Sequence, residues 1–462
     1  MRANMCKANR VSISIFNTKT LSLVSGVLLI AFLLFGSSAW GTRHALNGGH
    51  RFSKPVRRFF ITVSELPSKA KGLRNLLSKW QGVQGEENIY KNYFASRNST
   101  ERLYGQILIP RLNSFGLSQV VLVDLETSDE TVLMDGSEVK EVAQYTDYIE
   151  NSDAFRQLEM SSSWVKYNPI LTSDNLLVYL HEFNDLIAFD LNTRKERWRI
   201  RGAFHHSIEI DENGDIWTCA SVESGSKYSS DGYGKDNYVD FEDQVLVRVS
   251  KSGKIVNVIS VTDLLHKAGL EFLLYGVSNP NRISDLIHLN QVAPIFFDCG
   301  ALKRGSLLVS LRNLSTIMNI DPNSKAVCWY KTGPWMNQHC AFQFNNSEIS
   351  ILDNHSFASG KYWVKEAWRT KGLLHNIETG ETRKIQLGAI IDDTLRIPTQ
   401  GRLQYTPFGA WMIEDCSHGT VIIVKDGVII YKWSNMYPDG TVGITSWSRY
   451  IGADPRKTRK TM

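Results

Sequence analysis

From residue 105 onward, short apolar runs alternate with short polar turns, and run, turn and run recur about six times, the sign of an array of β-hairpins. Residues 120–124 turn through Glu126, Thr127 and Ser128 into 131–133, and 186–190 turn through Asn192, Thr193 and Arg194 into 197–200. The same pattern joins 245–249 to 255–259 and 317–321 to 327–330, and it returns around Glu378, Thr379, Gly380 and around Lys425, Asp426, Gly427. Each hairpin follows another strand pair, such as 207–210 and 215–218 about the turn 211–214, so each unit holds about four strands. Four strands make one propeller blade. The expected fold is therefore all-β, a six-bladed β-propeller over 105–434. A sandwich of hairpins would not explain why the last strand so often carries a large residue, as at Trp198, Trp329 and Trp433.

Three stretches interrupt the repeat: 144–168, 221–243 and 262–282. In the last, the spacing of Leu264, Leu265, Leu270, Leu273 and Leu274 predicts a helix. Long connections in a propeller emerge at its two faces, where they build walls and lids.

Length fits this architecture, because 462 residues exceed the roughly 250 that a closed propeller uses as one unit. The 12 Trp, 17 Tyr and 20 Phe suit sheets stacked face to face. A net charge of +5, concentrated in 51–58 and 456–460, does not describe a nucleic-acid groove.

Ahead of the repeats, Arg2, Lys7, Arg10 and Lys19 precede an apolar run from 21 to 35 that continues more weakly to Trp40, about 20 residues and long enough to span a bilayer. Ser37 and Ala39 would also suit signal peptidase, but the long basic region favours an uncleaved anchor. The expected organisation is a cytoplasmic tail and transmembrane signal anchor (or signal peptide) at 1–42, and a stalk at 43–104 whose Leu73, Leu76, Leu77 and Trp80 fall at helical spacing. The propeller at 105–434 and a tail at 435–462 follow. The body would be membrane-anchored outside the cytoplasm, in a periplasm if the source is Gram-negative. Cys6 lies before the apolar run, which leaves Cys219, Cys299, Cys328, Cys340 and Cys416 beyond it. That odd set, without a CxxC or zinc-finger spacing, reads as small buried side chains or at most a couple of disulfides.

The first strand of every blade lines the central channel, so polar residues at those positions converge. His205 and His206 open one blade, His288 opens the next, and Gln338 with His339 opens the one after; Arg312 follows the strand 306–310. A single histidine is most simply a hydrogen-bonded structural one, whereas three at equivalent positions beside an arginine describe a site. Three imidazoles could bind a metal, but no Asp or Glu belongs to the set and Arg312 would repel a cation. A tetrahedral oxyanion is the better guest, because guanidinium and imidazole donors match its oxygens. No phosphate-cradling glycine loop is visible, so neither a nucleotide nor another cofactor is expected.

These residues resemble the arylsulfate sulfotransferases, six-bladed propellers of the bacterial periplasm. The resemblance covers roughly 205–354 and rests on four elements: the His-His start with its Asp211, Glu212, Asn213, Gly214 turn; 285–290; 305–320 with Ser310, Leu311, Arg312, Asn313; and Gln338, His339 with Asp353, Asn354. It implies that His339 accepts the sulfuryl group covalently, that His288 and Arg312 hold its oxygens, and that Asn290 lies beside them. It matches the remaining histidine to His205 or His206; His206 shares the parity of Ile208 and Ile210, although parity alone does not decide which face lines the channel. Catalytic residues would be His339, Arg312, His288 and His206, with Asn290, His205 and Gln338 binding substrate. The reaction implied moves a sulfuryl group from an aryl sulfate to a phenol. A membrane-tethered propeller that binds a ligand without turnover is the alternative.

Overall fold

The computed structural model describes residues 103–115, 117–136, 166–181, 185–222, 243–276, 285–356, 369–388, 391–392, 395–397, 399–416, 418–438 and 440–452. All belong to the second of the chain's two units, Gly82–Met462. The expected anchor and all of the stalk but its last two residues lie outside these residues, as do most of the insertions at 144–168 and 221–243. Among the described residues no helix is long and apolar enough to cross a membrane.

The strands fall in chain order into six four-stranded antiparallel sheets, the six blades. Blade one holds β1 (Gln106–Leu112), β2 (Ser118–Asp124) and β3 (Glu130–Asp135), and blade two β4 (Lys166–Leu171), β5 (Leu176–His181), β6 (Asp185–Asp190) and β7 (Lys195–Ile200). Blade three holds β8 (Ala203–Ile210), β9 (Ile216–Val222), β10 (Asp243–Val249) and β11 (Ile255–Ser260), and blade four β12 (Leu289–Pro294), β13 (Leu307–Leu311), β14 (Thr316–Asp321) and β15 (Ala326–Thr332). Blade five holds β16 (Cys340–Gln343), β17 (Glu348–Asp353), β18 (Lys371–Asn376) and β19 (Thr382–Lys384). Blade six holds β20 (Arg402–Tyr405), β21 (Trp411–Asp415), β22 (Thr420–Lys425) and β23 (Val428–Ser434).

Blade one is completed from the far end of the chain. Its inner strand is β24 (Arg449–Ile451), which pairs with β1 through Gln106–Ile451, Ile107–Tyr450 and Leu108–Arg449. The ring thus extends past residue 434, where the hairpin repeat stops. The inner strands β24, β4, β8, β12, β16 and β20 each touch the next and close the circle.

Each blade is sandwiched between two others, so its strands are apolar on both faces rather than alternating apolar with polar. Period two then sorts side chains between neighbours. On β10, Val245, Val247 and Val249 pack toward blade two while Leu246 packs toward blade four. On β13, Leu307 and Val309 join the cluster shared with blade three and Leu308 joins that shared with blade five. The end-of-blade tryptophans fill the wedges. Trp198 Nε1 donates to Lys251 O of blade three at 3.2 Å, and Trp433 Nε1 donates to Glu130 Oε1 of blade one at 2.7 Å. A Cβ at Gly253 (φ +81°) would come within 2.5 Å of the Trp198 ring, so this turn admits only glycine.

The outer hairpins sit where the polar turns place them, held by side chains that accept from the backbone just ahead. Asp190 Oδ1 takes the amides of Asn192 and Thr193, and Asp124 and Asn376 do the same in their own blades. The helix expected over 262–282 is instead two short ones, α1 (Val261–Lys267) and α2 (Glu271–Tyr275). Ser260 Oγ caps α1 at Asp263 N, and Gly269 (φ +67°) turns the chain between them. All five leucines of the pattern are buried, packed with Trp217 and Leu246. Cys219, Cys299, Cys328, Cys340 and Cys416 are all free thiols, and only Cys328 is exposed.

Candidate active site

The inner strands enter the channel through left-handed residues: Asn168, His206, His288, Asn337, Gln400 and Trp447 have φ between +46° and +63°. Side-chain amides stitch these entries from blade to blade. Asn168 Nδ2 donates to His206 O (2.8 Å), Asn290 Nδ2 to Gln338 O (2.6 Å), and Asn354 Nδ2 to Ile397 O and Gln400 O (both 2.9 Å). Such bonds fix the backbone that carries the functional side chains.

His206, His288 and His339 meet there. The His206 ring centroid lies 4.8 Å from that of His288 and 6.4 Å from that of His339, and His288 is also 6.4 Å from His339. His206 rather than His205 faces this cluster. Parity does not carry that choice, because the register with β9 shifts between His205 and Ile208 and breaks the alternation at the bulge. His205 lies behind, its Nδ1 2.7 Å from His206 Nδ1, and burial followed by the charge of His288 pushes its pKa down to about 3.

His339 is buried, and its tautomer is determined. Nδ1 lies 2.8 Å from Asn354 Oδ1, an acceptor fixed in orientation because Asn354 Nδ2 is occupied by two carbonyls. Nδ1 must therefore carry the proton and donate it, which leaves the Nε2 lone pair free; Nε2 has no hydrogen-bond partner among the described residues. Burial, then the charges of Arg312 and His288, hold the ring well below the usual histidine range, and burial and the neighbouring cations do the same for His206.

His288 Nδ1 is bound to Asp285 Oδ2 at 2.7 Å. Burial tends to raise the Asp285 pKa, but the hydrogen bond and charge of His288, with His205 and Arg312, hold it below the usual carboxylate value. Arg312 is fixed by its backbone amide on His288 O (3.0 Å) and by Nη1 donating to Asn313 Oδ1 (2.9 Å), while Asn313 Nδ2 donates to Asp285 O (2.7 Å). Arg312, Asn313, Asp285 and His288 thus form one connected unit.

Two residues expected to bind substrate have their amide nitrogens engaged by the scaffold. Gln338 is fully buried and gives its amide to Ser310 Oγ, Leu311 O and Thr316 O of blade four. Asn290 spends its amide nitrogen on Gln338 O; its Oδ1 is buried without a hydrogen-bond partner among the described residues. Three other residues complete the cluster without having been selected from the sequence as site residues: Asn354, Asp285 and Trp447. The Trp447 ring lies 5.5 Å from His206 and 6.4 Å from His339, on the connection into β24. The dipeptide Asp353-Asn354 was visible in the sequence, but the tautomer-setting role follows only from the contact of His339 with Asn354 in the fold.

One nitrogen from each of His206, His288 and His339 falls within 4.8 Å of the others, close enough for a metal triad. The guanidinium of Arg312 raises the cost of a cation there, as its effect on His206 and His339 shows. The same charges favour a tetrahedral anion.

The family model described as Arylsulfotransferase (ASST) matches residues 180–432, more than half of the chain and the span that carries all of these residues except Asn168 and Trp447. No curated protein matches the chain. Similar solved structures include TolB from Acinetobacter baumannii, 10% identical over 75% of this chain and 67% of that one with a TM-score of 0.39. The Cps50 (Swd1) β-propeller domain of Myceliophteria thermophila is 11% identical over 73% and 89%, TM-score 0.38. Virginiamycin B lyase from Staphylococcus aureus is 9% identical over 59% and 71%, TM-score 0.33.

Proposed function

Because the chain belongs to the arylsulfotransferase family, we propose that it moves a sulfuryl group from an aryl sulfate to a phenol through a covalent adduct on His339. The supporting observation is the fixed tautomer: Asn354 holds the Nδ1 proton, so Nε2 presents its lone pair among His206, His288 and Arg312. Nε2 attacks sulfur, the bond from sulfur to the aryl oxygen breaks, and the phenolate leaves. A phenol has a pKa near ~10, so a proton delivered from His288 assists its departure. Asp285 on the far nitrogen of His288 supports the protonated ring. The acceptor phenol then returns a proton to His288 as its oxygen takes the sulfuryl group from Nε2, which restores the enzyme. Arg312 and His206 donate to the three sulfuryl oxygens, and Trp447 offers a flat wall for the departing ring.

Mass spectrometry after a single turnover with a nitrophenyl sulfate should find the adduct on His339 and none in His339→Ala. An adduct elsewhere, or undiminished transfer by the variant, would overturn the assignment. A propeller that binds without turnover would instead show no phenol-dependent consumption of the donor. We also place the propeller outside the cytoplasm, tethered by segment 21–40. Alkaline extraction that released a chain beginning near residue 40 would refute the tether.

A further inference from the structure

The inner strands also line a second chamber of different character. A cavity of about 520 Å³ is walled by Phe296, Phe297, Phe342, Phe344, Tyr405 and Tyr450. That volume lies within the range of small-molecule sites. It is lined by residues of β8, β12, β16, β20 and β24 and of the segments that follow them, and by none of the clustered histidines.

Charged residues line it as well. Arg402 of blade six, 2% exposed, binds Glu209 Oε1 through Nη2 at 2.7 Å, and Arg449 of blade one binds Glu209 Oε2 through Nη1 at 2.8 Å. Both guanidinium groups also donate to Asn168 Oδ1, at 3.1 and 2.9 Å. Burial tends to raise the Glu209 pKa, but the two arginines overcome this and keep it below the usual carboxylate value, so Glu209 is ionised. Two guanidinium charges against one carboxylate leave one positive charge in excess in a buried place. The Nε of each arginine is buried with no hydrogen-bond partner among the described residues. A buried charge with unused donors is costly unless something completes it. Phe342 sits under Arg402, its ring centroid 5.0 Å from the guanidinium carbon, which leaves an aromatic face continuous with the cationic one.

We propose that this chamber binds a small aromatic monocarboxylate, its ring among the phenylalanines and tyrosines and its carboxylate toward Arg402 and Arg449. One excess charge calls for a monoanion, planar guanidinium groups suit a planar carboxylate, and the walls suit a flat ring. No histidine of the cluster lines the chamber, but the two are linked: Asn168 bonds both arginines on one side and His206 O on the other, and Arg449 Nη2 donates to Ile208 O on the strand that carries His206.

The test uses the full chain and 2-naphthoate, with neutral 2-naphthamide as its partner probe, in calorimetric titration. Naphthoate should bind one to one, and naphthamide at least tenfold more weakly. Arg402→Gln should weaken naphthoate tenfold or more and Phe344→Ala severalfold, whereas Arg312→Lys should leave its affinity unchanged. Phe344 is half-buried at the rim, so its truncation keeps the test decisive if Arg402→Gln does not fold. Equal affinity for the two probes, insensitivity to Phe344→Ala, loss of binding in Arg312→Lys or no binding at millimolar naphthoate would each overturn the proposal. None of these readouts depends on sulfuryl transfer.

Discussion

Replacing Asn354 by leucine tests the central chemical argument. The carboxamide accepts the Nδ1 proton of His339 at 2.8 Å and donates to Ile397 O and Gln400 O, both at 2.9 Å. Leucine has the same branched skeleton, with bulkier methyl groups in place of the carboxamide, and can do none of this. For the fold, two carbonyls lose their donor, and at about 1–3 kcal/mol for each buried group left unpaired the domain should weaken by about 2–6 kcal/mol. For the chemistry, His339 Nδ1–H loses the acceptor that made its tautomer obligatory. A buried hydrogen bond of about 1–3 kcal/mol sets that preference, and at about 1.4 kcal/mol per factor of ten its loss should slow adduct formation by roughly 5- to 150-fold. The assay is quenched-flow mass spectrometry of the His339 adduct at saturating donor, well below the melting transition, so that neither donor affinity nor the folded fraction enters. An unchanged rate under those conditions would refute the tautomer argument, and so would a fall that merely tracks the unfolded fraction.

Arg312→Lys should lower kcat/KM for an aryl sulfate by about a hundredfold with the melting temperature nearly unchanged, because a point charge cannot replace a planar fork on an oxyanion; a drop of less than tenfold would count against it. His205, with its pKa pushed down to about 3, is neutral in the fold but takes a proton on unfolding below ~6.5. Its contribution to stability is therefore complete above ~6.5 and is lost as pH falls toward about 3, by at most about 1.4 kcal/mol per pH unit. Urea midpoints between pH 6 and 4 should accordingly fall less steeply in His205→Phe than in the parent, and parallel slopes would contradict this. Truncation after Ser448, compared with truncation after Gly452, removes β24 and the Arg449 contacts to Glu209; it should abolish a single cooperative melt, and coincident melts would show the closure to be dispensable.

What could be read in the sequence was what is local. The outer hairpins were legible because residues such as Asp124, Asp190 and Asn376 close their own turns within three positions, and because strands buried on both faces read as unbroken apolar runs. The convergence of His206, His288 and His339 was legible because each opens a blade. Less legible was whatever depends on the bulged, left-handed entries to the inner strands. There alternation fails, so the separate duties of His205 and His206, and the turning of Gln338 into blade four, could not be counted off. Trp447 and β24 gave the weakest signal: three strand residues with no neighbouring partner, whose pairing lies at the opposite end of the domain. The leucine pattern of 262–282 was read as one helix; it is helical, but Gly269 divides it into two.

Closing the ring with the last strand orders events in time as well as in space. Tyr450 Oη donates to the carbonyl of Tyr104, 346 residues earlier, so at about 5–20 residues per second a ribosome needs roughly 20–70 s to supply the second contact after the first. During that interval the β1 edge has no inner neighbour and Glu209 has only one of its two arginines, Arg402, which is itself made late. The channel is thus assembled late, and a nascent chain remains open-edged at β1 until Arg449–Ile451 have emerged.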